Sequence, residues 1–252
     1  MTRPLHLVRL WVDGARLHAF ARQSRLPLRD FDDGYAVHAL FAALFDHDAL
    51  GQGRLAPRPF RILDSSRRRC EVLAYATADH RALVHRARTF GDPGSLEVCD
   101  LERLVSRPVP HFRSGIRLGF SARVCPVRRL SKERIEIDAF LARVRRASEG
   151  NEPPKREAVY REWLAEQLEA DNAARLLTCG MSSFRLGRQY RRTQGERRKA
   201  ARLSRPEAVF EGELEVRDSA AFGGRLERGL GRHRAFGFGM LLLRPSIASS
   251  PG

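Results

Sequence analysis

The chain has 252 residues, of which 42% are hydrophobic, and a formal net charge of +16. This hydrophobic content excludes a disordered basic tail, and the length predicts one large domain or two small ones. So large a positive charge indicates an anionic partner, usually nucleic acid, although a GC-rich genome, which favours Arg codons, also accounts for part of the arginine content.

Four separated cysteines, Cys70, Cys99, Cys125 and Cys179, form no Cys-x-x-Cys pair and no short cluster with histidine. This spacing argues against a structural zinc site and against a disulfide framework. The N-terminus lacks a basic-then-apolar signal segment, and no apolar stretch reaches the length of a membrane span. The sequence therefore predicts a cytoplasmic protein without a metal or other cofactor.

Apolar spacing in the first half predicts a strand, a helix, two strands and a second helix, at Leu5–Val12, Tyr35–Phe45, Phe60–Leu63, Cys70–Tyr75 and Asp79–Ala87. The first helix follows Asp32, Asp33 and Gly34, which together provide a helix start signal. This order of elements is that of a ferredoxin-like unit.

The second half is predicted to be a further strand-and-helix unit with a large helical and basic insertion after its first strand. Its predicted elements are a strand at Ile116–Val124, helices at Ile135–Arg146 and Ala158–Leu168, a strand at Val209–Val216, a helix at Ala220–Glu227 and a last strand at 241–243. The fold class is therefore α+β.

A strongly basic run precedes the strand at Val209–Val216. Its cationic residues are Arg185, Arg188, Arg191, Arg192, Arg197, Arg198, Lys199, Arg202 and Arg205. Such a run is usually a solvated face or a flexible arm. Because Phe184, Leu186 and Tyr190 are interleaved with the arginines, the pattern favours a surface that faces RNA, and we predict a basic helical arm.

A glycine-rich loop leads into the last strand. It contains Gly229, Gly231, Gly237 and Gly239 together with Arg232, His233 and Arg234. Glycine lets a backbone approach a bulky anion, and successive N–H groups in such a loop bind anions. The spacing is not that of a nucleotide-triphosphate loop. The loop therefore predicts contact with a polynucleotide backbone; the alternative is a glycine-rich turn within a sheet.

One histidine lies where it is able to act in catalysis. His38 follows Tyr35 by three residues on the predicted first helix, so the two side chains share a face. An imidazole acts as a general acid or base near neutral pH, and a Tyr hydroxyl at this spacing is able to orient it. A single helical histidine is nevertheless more often structural.

Several segments, taken in order, resemble the CasE-like family of CRISPR repeat-processing endoribonucleases, which belong to the RAMP superfamily. Tyr35–Phe41 is similar to the Tyr-x-x-His helix of that family, and Ala208–Val216 to its Val-x-Phe-Glu-Gly-x-Leu-x-Val strand. Gly229–Gly239 is similar to its Gly-x-Gly-x-x-[Lys/Arg]-[Ala/Ser]-x-Gly-x-Gly loop. Ile116–Arg129 is similar to its basic strand, and Ala158–Leu164 to its central helix with Trp-Leu.

The resemblance implies two tandem ferredoxin-like (RRM-like) domains, 1–112 and 113–252, the second with a helical, Arg-rich insertion at about 131–205 and the glycine-rich loop at 229–239. It also implies metal-independent cleavage of CRISPR precursor RNA at a repeat hairpin. The ribose 2′-OH attacks the phosphate, and the products carry a 2′,3′-cyclic phosphate and a 5′-OH.

In that reaction His38 and Tyr35 belong to the active site, and Arg22, Arg25 or Arg29 neutralises the phosphorane. The RNA-binding residues implied are Arg123, Arg128 and Arg129, the cations of the basic run other than Arg205, and the four glycines and three cationic or imidazole residues of the glycine-rich loop. The guide RNA stays bound, and CRISPR effector-complex subunits are the implied protein partners.

Two departures indicate a divergent branch, such as the related subunit of type IV CRISPR systems. Gly119–Ser121 lowers the content of basic residues in the strand, and the basic run contains more cationic residues than is expected for typical members of the family. Arginines then share or replace the role of His38. Two other classes stay open: a non-catalytic RNA-hairpin-binding subunit, and a basic ribosome- or DNA-associated protein. Cleavage of a hairpin RNA in EDTA separates the enzyme from both.

Overall fold

The structure is a computed structural model that describes residues 4–26, 28, 31–46, 55–65, 69–129, 136–146, 154–192 and 200–246, excluding the side chains of 64–65, 188–192 and 200–203. The chain divides into two units. One comprises Met1–Pro110, Arg188–Leu203 and Arg234–Met240, and the other comprises His111–Gly187, Ser204–His233 and Leu241–Gly252. None of the helices described is long and apolar enough to cross a membrane.

The first unit follows the predicted order of elements, with an additional helix near its start and an additional short helix and strand at its end. Its elements are β1 (His6–Val12), α1 (Gly14–Gln23), α2 (Asp33–Phe45), β2 (Phe60–Ser65), β3 (Cys70–Ala76), α3 (His80–Phe90), the short α4 (Pro93–Leu96) and β4 (Val105–Pro108). The strands form an antiparallel sheet in the order β2-β3-β1-β4. First and third strands are thus central neighbours, as in a ferredoxin-like unit.

The core of this unit follows from alternation along β1 and from the apolar sequence of α2. Val8, Leu10 and Val12 are fully buried and alternate with more exposed residues. On α2, Phe41 is buried in the same core, and its ring lies 5.4 Å from that of Phe60 in β2. Each such side chain contributes roughly 1.5–3 kcal/mol when fully buried. This packing fixes α2 on the sheet.

Helix α1 was not predicted from the sequence. Its N-cap is Asp13, whose side chain accepts a hydrogen bond from the amide of Arg16. Only Leu17 and Phe20 provide large buried apolar side chains, so the apolar spacing is too sparse to identify the helix. The helix ends with Arg25 in the left-handed region, at φ 53°, a position that is usually glycine.

The second unit repeats the strand arrangement of the first. Its elements are β5 (Arg117–Val124), β6 (Val127–Arg129), β7 (Glu136–Asp138), α5 (Ala139–Val144), α6 (Arg156–Glu169), β8 (Ala174–Arg192), β9 (Ala200–Val216), α7 (Ser219–Arg228) and β10 (Leu241–Pro245). Residues 188–192 of β8 and 200–203 of β9 belong to the first unit. The main sheet has the order β10-β5-β9-β8, while β6 and β7 pair separately. The prediction of two ferredoxin-like units in an α+β chain is confirmed.

Two predictions within the second unit are wrong. The segment predicted as one helix, Ile135–Arg146, begins in the described residues with β7, and the helix α5 starts only at Ala139, capped by Asp138. The basic run is not a helical arm: its described residues lie in β8 and β9. The described residues of the run are extended because β8 and β9 are hydrogen-bonded neighbours in the sheet, and this pairing overrides the helix preference of arginine.

Candidate functional site

Helix α2 presents the predicted Tyr–His pair near its start. Asp32 caps the helix by accepting a hydrogen bond from the amide of Tyr35 at 3.1 Å. Tyr35 and His38 are both partly exposed, whereas Ala36 and Val37 between them are buried. The core-facing residues thus fix the helix, and the two polar side chains reach the surface on its other side.

The end of the glycine-rich loop packs against this part of α2. Residues Arg234–Phe236 form a 3-10 turn in the same unit as α2. The Phe236 ring stacks on Tyr35, with centroids 5.7 Å apart and planes 24° apart, and meets His38 edge-on at 5.0 Å and 79°. These separations are those of favourable aromatic pairs. The three rings form one cluster, which we call the Tyr35–His38–Phe236 cluster.

Gly34 permits this packing. A β-carbon at Gly34 would lie closer than 3.0 Å to the carbonyl oxygen of Phe236, nearer than side chains come to a backbone atom in real proteins. Gly237 and Gly239 follow Phe236 with φ angles of 83° and 75°, which favour glycine. Glycine is therefore needed on both sides of the contact, for close approach on the helix and for the turn in the loop.

The beginning of the same loop is anchored within the second unit. Gly229 and Gly231 have φ angles of 70° and 66°. A β-carbon on Gly231 would lie 2.6 Å from the indole of Trp163, which donates a hydrogen bond to the carbonyl of Val127 at 3.3 Å. Trp163 belongs to α6, so this part of the loop lies on the central helix of the unit.

A buried carboxylate holds the cations of this part of the loop. Glu136, whose side chain is 6% exposed, binds Arg232 and accepts a hydrogen bond from Nε2 of His233 at 2.9 Å. Arg205 lies 2.7 Å from the same carboxylate. The hydrogen bond from His233, with the charge of Arg205, outweighs burial and lowers the pKa of Glu136 to about 2. Arg232 and His233 are thus engaged by the protein.

Three arginines were predicted to neutralise the phosphorane. Arg22 is exposed in the last turn of α1, and Arg25 is exposed two residues after that helix ends. Its backbone closes the helix, since the amide of Leu26 donates to the carbonyl of Ala21 at 2.8 Å. Arg29 lies outside the described residues.

The arginines predicted to bind RNA divide into engaged and exposed groups. Arg123 binds Glu207 with two hydrogen bonds of 2.7 and 2.9 Å, and Arg185 lies 3.0 Å from the same carboxylate. Burial would raise the pKa of Glu207, but the hydrogen bonds and charges of these two arginines lower it. Arg128 pairs with Glu166 at the surface.

Other predicted contacts lie on exposed or undescribed parts of the chain. Arg129 and Arg234 are exposed. For four arginines only the backbone is described, in β8 or β9: Arg188, Arg191, Arg192 and Arg202. Arg197, Arg198 and Lys199 lie outside the described residues.

Sequence reasoning missed the residues that organise the site. In the sequence Phe236 is only a spacer between glycines, Gly34 is only part of a helix start, and Glu136 falls within a predicted helix. A glycine directly before Tyr35 was the one available signal of a close contact. In the described part of the chain, no three side chains of His, Cys, Asp or Glu are grouped so that they are able to hold a metal ion.

Two ferredoxin-like units, with a glycine-rich loop leading into the last strand, define the class of this protein as a double ferredoxin-like protein. The family model described as CRISPR associated protein matches residues 5–245. The chain belongs to this family of CRISPR-associated proteins. By sequence it matches none of the curated proteins.

Solved structures share the fold. Cse3 of Thermus thermophilus, bound to an RNA representing a pre-cleavage complex, is 20% identical, with a TM-score of 0.59 over 96% of this chain and all of that one. Cas6e from Escherichia coli K-12 is 19% identical, with a TM-score of 0.55 over 96% of this chain and all of that one. A chain of a CRISPR RNA-guided surveillance complex is 17% identical, with a TM-score of 0.55 and the same coverage.

Proposed function

We propose that this protein is an endoribonuclease that cleaves CRISPR precursor RNA at the repeat hairpin, without a metal ion, to give guide RNA. The main support is the Tyr35–His38–Phe236 cluster at the surface of a chain in this family. The names of similar structures, a CRISPR endoribonuclease bound to RNA among them, agree with this activity. We further propose that the product stays bound, as part of an effector complex.

The proposed chemistry is an internal transfer within the RNA. The 2′-oxygen forms a bond to phosphorus while the bond from phosphorus to the 5′-oxygen breaks. One proton leaves the 2′-OH and another reaches the departing 5′-oxygen. His38 carries one of these two transfers, a contribution of roughly 10²–10⁴-fold. Tyr35, stacked beside it, orients the 2′-OH.

In this proposal arginine neutralises the negative charge of the phosphorane. Arg22 and Arg25 are exposed at the end of α1, in the same unit as His38, and Arg29 is assigned the same role from the sequence. Because a guanidinium presents its donors in a planar fork, it binds two phosphate oxygens at once. Positioning and charge stabilisation then provide most of the acceleration.

The strand pair β8–β9 is proposed to bind the RNA stem. Arg185 is 68% exposed at the side chain although it touches Glu207, and the strands continue into arginine-rich sequence on both sides of 193–199. The exposed Arg129 and Arg234 are further proposed phosphate contacts. Arg123 and Arg232 are proposed to act indirectly, because a buried or nearly buried carboxylate holds each of them.

The test is cleavage of the organism's own repeat RNA in excess EDTA, followed by analysis of the product ends. We expect cleavage with a 2′,3′-cyclic phosphate and a 5′-OH, and no cleavage of an RNA with 2′-deoxyribose at the scissile position, because the nucleophile is then missing. A divalent-ion requirement, or cleavage of the deoxy RNA, would contradict the mechanism. Tight hairpin binding without cleavage would indicate a binding subunit instead.

A further inference from the structure

The second part of the glycine-rich loop is packed inside the first unit. Gly237, Phe238, Gly239 and Met240 are all buried, and Phe238 and Met240 are 4% and 1% exposed. Their amides and side chains are therefore not on the surface that an RNA backbone reaches. Sequence similarity predicts that the loop binds RNA, but the burial of this part of the loop indicates a structural role.

Phe236 stands at the boundary between the buried part of the loop and the surface. It is partly exposed, like Tyr35 and His38. Its ring lies nearly parallel to Tyr35 at 5.7 Å and nearly perpendicular to His38 at 5.0 Å. One ring therefore restricts the rotamers of both side chains.

We propose that Phe236 is a positioning residue for the Tyr35–His38 pair, so that the glycine-rich loop acts on cleavage by orienting these side chains. This inference rests on the proposed function. A displacement of about 1 Å in a reacting group lowers a rate by up to about 10²-fold. A surface imidazole and phenol therefore need a fixed neighbour, and in the described structure Phe236 contacts both.

Gly34 fixes the position of the Phe236 backbone. The carbonyl of Phe236 occupies the place where a side chain on Gly34 would begin. The backbone of the 3-10 turn consequently rests directly on the first turn of α2, one residue before Tyr35. Backbone contact at Gly34 and ring contact at Tyr35 and His38 together define the position of Phe236 relative to the pair.

A double-mutant cycle tests the proposal. Four proteins are compared: wild type, Phe236→Leu, His38→Ala and the double variant. Leucine keeps an apolar side chain and removes the ring. We expect Phe236→Leu to lower the single-turnover cleavage rate by about 10-fold, and to leave affinity for the 2′-deoxy hairpin within about 2-fold. In the His38→Ala background the same change should have almost no further effect, since residues that act as a unit are not additive.

Two controls accompany the cycle. Phe236→Tyr keeps the ring and should retain a rate close to that of wild type. Phe112→Leu removes a comparable edge-on contact in the second unit, where Phe112 meets Phe222 at 5.6 Å and 81°, and should not change the rate. A slowing by Phe236→Leu that multiplies with that of His38→Ala, or an equal loss in hairpin affinity, would overturn the positioning role.

An NMR measurement separates this inference from the proposed function. In the wild-type protein without RNA, nuclear Overhauser contacts should join the Phe236 ring to the rings of Tyr35 and His38, and this needs no variant to fold. Absence of these contacts would overturn the inference even if the protein cleaves RNA. Contacts present in a protein that never cleaves would reject the proposed function while leaving the ring arrangement established.

Discussion

Nε2 of His233 donates a hydrogen bond of 2.9 Å to the carboxylate of Glu136, the same group that holds Arg205 at 2.7 Å. Two residues predicted to face RNA, His233 and Arg232, are therefore ligands of a buried acid. The arrangement fixes the first part of the glycine-rich loop, and it makes the stability of the second unit depend on the charge of one carboxylate.

Acid should weaken the second unit through Glu136. Its pKa lies at about 2 in the folded protein, below its ordinary value of 4.5. The unfolded chain therefore takes up this proton first, so the contribution of Glu136 is complete above about pH 4.5 and is lost as pH falls towards 2. Urea unfolding at a series of pH values should show this loss, and Glu136→Gln should flatten it.

The matched control for that experiment is Glu166→Gln. Glu166 pairs with Arg128 at the surface, where its side chain is 50% exposed, and such pairs contribute little. Its removal should leave the pH dependence as in wild type. A Glu136→Gln protein with an unchanged acid limb would contradict the role assigned to the buried carboxylate.

His38→Ala should lower the single-turnover cleavage rate by roughly 10²-fold or more, the usual size of a general acid–base contribution. Hairpin affinity should change little, because the imidazole is assigned to proton transfer. His85→Ala, a substitution of an exposed histidine on α3 in the same unit, is the control and should cleave normally. An undiminished rate in His38→Ala would move the chemistry to Arg22, Arg25 and Arg29.

Arg25→Gly should stabilise the fold and slow cleavage at the same time. Arg25 is held at φ 53°, a conformation that costs roughly 1–2 kcal/mol for a residue with a β-carbon. Arg25→Ala removes the charge but keeps this strain, so both variants should lose rate equally, and the glycine variant should be more stable by about 1 kcal/mol. The measurements are thermal unfolding and single-turnover kinetics on the two variants. Equal stabilities of the two variants, or a wild-type cleavage rate in both, would contradict the prediction.

The basic run should bind RNA mostly by charge. Replacing Arg191, Arg192, Arg197 and Arg198 together by Ala should weaken hairpin binding and flatten its salt dependence. Removing one phosphate contact reduces the slope of log K against log salt by about 0.7–0.9. The melting temperature should stay near that of wild type. Parallel salt titrations of equal affinity would show that these arginines form a solvated surface.

Arg123→Ala provides the opposite pattern. Arg123 binds Glu207, whose side chain is only 11% exposed, so the substitution takes one of two neighbouring guanidinium groups from a nearly buried carboxylate and leaves Arg185 beside it. We expect a decrease of about 1–3 kcal/mol in the free energy of unfolding and little change in the salt slope. A reduced slope with unchanged stability would instead assign Arg123 to direct phosphate contact.

How much the sequence predicts depends on whether the signal is local. Helix α2 and the strands β1, β2, β3, β5 and β10 are predicted correctly because their apolar pattern is strong, whereas the short strands β4, β6 and β7 are not predicted. The Tyr35–His38 spacing is visible within one helix turn. The contact of Phe236 with that pair joins residues about two hundred positions apart, and no local pattern encodes it. The basic run was predicted to be helical, which agrees with the helix preference of arginine, but the pairing of β8 with β9 places its described residues in strands.

The strand order of the two sheets has a consequence during synthesis. In the second sheet β5 lies between β9 and β10, which the ribosome adds long after β5 itself. Pairing of this kind is slow, and an unpaired apolar strand is prone to aggregate meanwhile. In the first unit Tyr35 and His38 are likewise synthesised early, whereas Phe236 is added near the end of synthesis. A nascent chain thus carries the residues for cleavage well before it carries the ring that orders them.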